Sequence, residues 1–139
     1  MRIRKLIGAA VILGSIPPAY SQSTSSDEAA IRDIFKRIEK YYGECDSKGM
    51  AALYAPDGER IVRGVTARGR EAIEKTYDAQ CSFTKNGKNK FLYTITFVDP
   101  QTANVDGTWI NESNSLSTGF SLVARKTDGQ WFVVIGRPR

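Results

Sequence analysis

A chain of 139 residues is the size of one domain, and 41% hydrophobic with 25% charged residues is the balance of a globule rather than a disordered or repetitive segment. Three of its 20 basic residues, Arg2, Arg4 and Lys5, open the chain ahead of an apolar run from Leu6 to Ile16 and a small-x-small site at Ala19-Tyr20-Ser21. Those are the parts of a secretory leader, residues 1–22; without it 17 basic residues face 15 acidic ones, a net +2 that argues against nucleic acid as a partner.

The apolar run of 11 residues is short of the roughly 20 needed to cross a hydrocarbon core. The expectation is a cleaved signal, with cleavage near Ser21-Gln22, and a single periplasmic or secreted domain over 23–139 with no stable membrane anchor. Ser26 and Asp27 supply helix-capping side chains. Beyond them Ile31, Ile34, Phe35, Ile38 and the pair Tyr41-Tyr42 follow helical spacing, a core-facing helix.

Cys45 and Cys81 are the only cysteines, and in an oxidising compartment two cysteines more often bridge than stay free. Closing that loop would stabilise by about 3 to 4 kcal/mol. The alternative is two buried thiols whose Cα atoms lie farther apart than the roughly 7 Å a bridge allows. With no histidine and two cysteines, neither a zinc nor a copper site is expected, and no cofactor.

Between Asp46 and Tyr77 the pattern is denser. Met50, Leu53 and Tyr54 mark a short helix that Pro56 cannot continue, Pro56-Asp57-Gly58 reads as a turn, and a strand runs through Ile61. Gly64 and Gly69 bracket a polar connection, and Ala72, Ile73 and Thr76-Tyr77 mark another helix from about Arg70. The period then changes to two. Phe91 to Val98, Ala103 to Ile110, Thr118 to Lys126 and Trp131 to Ile135 read as four strands of an antiparallel meander, the last two joined at Thr127-Asp128-Gly129. Lys85 to Lys90 reads as a charged loop tip, and Asn111-Glu112-Ser113 fits a glycosylation sequon.

Helices on one side of such a sheet make an α+β domain, and a bent sheet closing on its first helix makes a cone with an interior. The words LYAPDGERI, RGVTARGREAIEKTY and DGQWFVVIGR, in this order of elements, resemble the nuclear transport factor 2-like superfamily, in particular its SnoaL-like and steroid-isomerase-like branches. The resemblance spans about Asp27 to Arg137 and implies a cone-shaped, cystatin-like fold of three N-terminal helices on a curved antiparallel sheet. It specifies a fold better than an activity.

Carried over without gaps, the steroid-isomerase base falls at Val62, its enolate-binding tyrosine at about Ile38 and its protonated acid near Ser121. None of the three can exchange a proton as that mechanism requires. What remains for a pocket is Arg60, two residues before Val62 and so facing the same way, with Tyr42, Tyr54, Tyr77, Tyr93 and Trp109 as walls. Arg60 is placed to grip a ligand's carboxylate or phosphate, or else to pair with Glu59, Asp57 or another acid. Arg63, Arg68 and Arg70 are a second basic group, either an anion site at a helix start or a solvated connection.

The expected function is non-catalytic binding of a small, mostly apolar molecule, or homodimerisation. The alternatives are a SnoaL-like or isomerase- or dehydratase-like enzyme using unmatched Asp, Glu or Tyr residues, and a structural part of an envelope assembly.

Overall fold

The computed structural model describes residues 19–85 and 87–139, with residues 19–24 as backbone alone. The leader expected over 1–22 lies outside the described residues except for its last four positions. Elements follow in the order α1 (Ala19–Glu44), α2 (Ser47–Ala52), β1 (Tyr54–Val62), β2 (Val65–Arg68), α3 (Arg70–Thr84), β3 (Asn89–Asp99), β4 (Thr102–Asn111), β5 (Leu116–Thr127) and β6 (Gln130–Pro138). The three helices pack on one six-stranded sheet of order β2-β1-β6-β5-β4-β3, the α+β arrangement expected. No described helix is long and apolar enough to cross a membrane.

The antiparallel description needs one correction. Strands β3 to β6 form the expected meander, but β1 pairs with β6 in parallel, so the sheet is mixed. The chain leaves β1, crosses over the helical layer and builds the meander before returning, which brings β6 back alongside β1 in the same direction. The predicted turn at Pro56-Asp57-Gly58 is instead a bulge inside β1. Tyr54 pairs with Val133 and Glu59 with Ile135, so β1 carries extra residues where proline cannot serve a ladder.

The segment read as a polar connection holds β2. Val62 and Val65 pair across a two-residue turn in which Arg63 and Gly64 both have positive φ, 51° and 79°. That is the mirror-image turn a twisted hairpin prefers, and Asp128-Gly129 repeats it between β5 and β6. Another correction concerns the first helix. Ser26 and Asp27 lie within α1 rather than at its start, and Asp27 turns inward, where its carboxylate accepts from Trp131 Nε1 and Lys126 Nζ, each at 3.0 Å.

The periodic face of α1 buries Ile31, Ile34, Phe35 and Ile38 against the sheet. Each such side chain contributes roughly 1.5–3 kcal/mol relative to exposure. Phe35 is the hub, with Tyr93 stacked on it at 4.1 Å and Phe91 and Phe120 tilted at 5.6 Å. Cys45, just past α1, and Cys81, in α3, are bridged, with Cα atoms 5.4 Å apart.

The sequon asparagine is withdrawn from solvent. Asn111 is buried, donating through Nδ2 to the Phe83 carbonyl and to Asn89 Oδ1, both at 3.2 Å, which leaves its amide inaccessible for glycosylation. Of the Lys85 to Lys90 loop, Asn86 lies outside the described residues, and β3 has already begun at Asn89.

Candidate functional site

Helix α3 has no side-chain cap; Gly69, whose φ of 86° suits glycine, precedes its first residue, Arg70. From there Ile73, Thr76, Tyr77 and Gln80 recur at helical spacing and form one stripe. Ile73 enters the core, and the other three meet Arg60, which β1 turns to the same side. Arg60 is buried, 4% exposed as a residue. It donates from one Nη to Thr76 Oγ1 at 2.7 Å and from the other to Gln80 Oε1, and its Cζ lies 3.9 Å above the Tyr77 ring.

Arg60 thus has no carboxylate in reach among the described residues. The expected pairing with Glu59 or Asp57 does not form. Glu59 bridges outward to Arg68 at 2.5 Å instead. The second basic group does not converge either: Arg70 Nε donates to the Tyr54 carbonyl at 2.9 Å, Arg68 is taken by Glu59, and Arg63 sits exposed in its turn.

Beside Arg60 lies a cavity of about 50 Å³ between α1, α2, α3, β1 and the β5–β6 pair. Phe35, Ile38, Tyr42, Met50, Leu53, Tyr54, Arg60, Tyr77, Phe91, Phe120, Leu122 and Val133 form its body, with Ser121, Gly136, Arg137 and Pro138 completing the lining. Arg137 is exposed, so the mouth opens at the end of β6. Of the pocket residues named from sequence, Ile38, Tyr42, Tyr54, Arg60, Tyr77 and Ser121 line this space.

Val62, Tyr93 and Trp109 lie outside it. Val62 is the last residue before the β1–β2 turn, past the cavity. Tyr93 stacks on Phe35 without reaching the space, with the Arg32 guanidinium 5.4 Å from its ring. Trp109 meets Tyr42 edge-on, but its Nε1 is committed to Asn89 Oδ1 at 3.0 Å. Ser121 borders the space while its hydroxyl accepts from Arg139 at 3.3 Å.

The polar end of the cavity is a tyrosine cluster. Tyr54 and Tyr77 share a hydrogen bond of 2.9 Å between hydroxyls, and Tyr42 packs on Tyr77 at 6.0 Å. Burial pushes the Tyr54 phenol up to about 12 and raises Tyr42 and Tyr77 as well, so all three are neutral hydroxyls at ordinary pH. Arg60 stays charged. Gly136, across from Arg60 in the parallel pair, leaves the room that the Tyr54 hydroxyl fills.

The family's sequence profile matches residues 23–137. The chain belongs to the SnoaL-like domain family. Solved structures agree on the fold. A protein of unknown function with a cystatin-like fold from Nostoc punctiforme superposes with a TM-score of 0.71 at 17% identity, covering 82% of this chain and 90% of that one. A nuclear transport factor 2-like protein with a cystatin-like fold from Novosphingobium aromaticivorans gives 0.69 at 21%, covering 86% and 85%. A protein from the same species provisionally named scytalone dehydratase gives 0.72 at 22%, covering 86% and 87%. No curated protein matches the chain.

In this SnoaL-like domain the lining carries no aspartate or glutamate among the described residues. Nor do the described residues bring three or more acidic or cysteine side chains together as a metal site would require. Sequence reasoning missed Phe35, Met50, Leu53, Phe91, Phe120, Leu122, Val133 and, at the end of β6, Gly136, Arg137 and Pro138 as lining, and Gln80 as a partner of Arg60. Gln80 was within reach, because it stands seven residues after Ile73 on the same helix face.

Proposed function

We propose that this SnoaL-like domain is an exported, non-catalytic module that binds a small, mostly apolar molecule in the cavity beside Arg60. The observation that carries this reading is the lining itself. Aromatic and aliphatic walls are joined by one buried cation and three neutral phenols, with no carboxylate or imidazole among the described lining residues to act as a general base. A phenol that holds its proton to pH about 12 donates hydrogen bonds but does not abstract protons. An enzyme of the dehydratase kind would need a base this cavity does not supply.

The test is a two-dimensional NMR titration of the mature protein with neutral aliphatic and aromatic compounds, each recovered afterwards. Shifts clustered at Phe35, Tyr54 and Val133, with the compounds unchanged, support binding. Shifts scattered elsewhere reject the site, and a chemically altered compound rejects the non-catalytic assignment. Export is checked by mass spectrometry of the secreted or periplasmic product, expected to begin at Gln22.

The reading includes a homodimer formed through the outer sheet face, where Leu92, Thr94, Thr96 and Val98 are exposed on alternate positions of β3. Sedimentation of the mature protein at the mass of a single chain would reject that pairing.

A further inference from the structure

Resting on the reading of the cavity as a small-molecule site, we propose that its ligand is an apolar acid whose carboxylate is held by Arg60 with an O–H of the neighbouring tyrosine cluster. A cation removed from water is unfavourable unless an anion accompanies it. Arg60 is buried and has only neutral company: a threonine hydroxyl, a glutamine oxygen and the face of Tyr77. Glu59, its neighbour in sequence, is spent on Arg68. Thr76 and Gln80 take two of the five N–H donors of Arg60, the Tyr54 and Tyr77 hydroxyls lie beside it, and the guanidinium borders open space. An entering carboxylate supplies the missing countercharge and accepts from the donors that remain.

The surroundings select for such a ligand. The Tyr54–Tyr77 pair spends one hydrogen on its mutual bond and keeps one O–H to offer an anion, and no described acidic side chain in the lining repels it. Arg137 at the exposed mouth adds a second positive charge on the way in. Past the polar end the walls are Phe35, Ile38, Phe91 and Leu122, which suit a hydrocarbon body. A water requires roughly 10–15 Å³ by the same kind of measure, so about 50 Å³ admits a carboxylate with a few carbons, the rest extending toward the mouth. One guanidinium balances one negative charge, which favours a carboxylate over a doubly charged phosphate.

The experiment is isothermal titration of the disulfide-intact protein at neutral pH with hexanoate and benzoate, each compared with its amide, hexanamide and benzamide. The acids are expected to bind about 10-fold or more tightly than the amides, the ratio that a charge-assisted hydrogen bond supplies. Arg60→Met should bring the affinity ratio of acid to amide to about one, by weakening the acids more than the amides. Should Arg60→Met not fold, the comparison in the unaltered protein still decides. Equal affinity for acid and amide overturns the acid assignment but leaves the small-molecule reading intact, and failure of all four to bind overturns both. Inorganic phosphate binding as tightly as hexanoate overturns the choice of an apolar acid.

Discussion

Arg60 and Tyr54 share a small volume because the residue between them has no side chain. A Cβ at Gly136 would run into the Tyr54 hydroxyl well inside contact distance. Gly136→Ala is therefore expected to break the Tyr54–Tyr77 hydrogen bond and to cost about 1–3 kcal/mol, the usual range for overpacking. Denaturant unfolding measures it, and a variant as stable as the parent would show that Tyr54 is free to move aside. The phenols make a second prediction at this scale. Their folded-state pKa values lie above the unfolded value near 10, so the folded form keeps these protons longer. Stability from this source is complete below pH about 10 and falls as pH rises toward about 12. Phenolate absorbance followed alongside circular dichroism should show the three ionising only as the fold is lost, and ionisation of all of them in the intact fold near pH 10 would contradict the cluster. Much at this scale was legible in advance. Arg60, Tyr42, Tyr54 and Tyr77 stand out as polar or amphipathic residues on apolar faces. Tyr93 and Trp109 stand out equally, and nothing in a list of aromatics tells which ring will reach the cavity.

Among elements, α3 does the most to build the site. Its stripe supplies Thr76, Tyr77 and Gln80, and the Cys45–Cys81 bridge anchors it to the end of α1, which supplies Ile38 and Tyr42. The bridge spans 36 residues, and closing a loop of that length stabilises by about 3 to 4 kcal/mol. Cys81→Ser should lower stability by about that amount in thermal unfolding under oxidising conditions, and a loss near zero would mean that helix packing alone holds α3. The helices and the four late strands could be read from period alone, because burial on one face writes a repeat of 3.6 or 2 into the chain. Hairpin strand β2 was not, since it is four residues long with no buried face and its turn is Arg63-Gly64 instead of the usual Asn-Gly or Asp-Gly.

At the scale of the molecule, the helical layer is fastened to the sheet at a point remote in sequence. Asp27 in α1 receives Trp131 from β6 and Lys126 from β5, contacts spanning 104 and 99 residues. Asp27→Ala strands a buried indole N–H and should cost about 1–3 kcal/mol, read by urea unfolding. A neutral outcome would mean that water or another acceptor replaces the carboxylate. An aspartate following a serine looks like a helix cap, and only the folded chain shows it as a buried acceptor.

Taken by itself, the sequence determined the α+β class, the order of its main elements, the family and the residues able to carry a charge into an apolar interior. These are local properties, written in spacing and residue type. The tertiary structure alone decided that β1 runs parallel to β6, which of the candidate side chains meet in one cavity, and that Arg60 has only neutral partners there. Those depend on contacts between residues distant in sequence, and an isolated arginine has no way to announce whether its acidic neighbour will turn toward it or away.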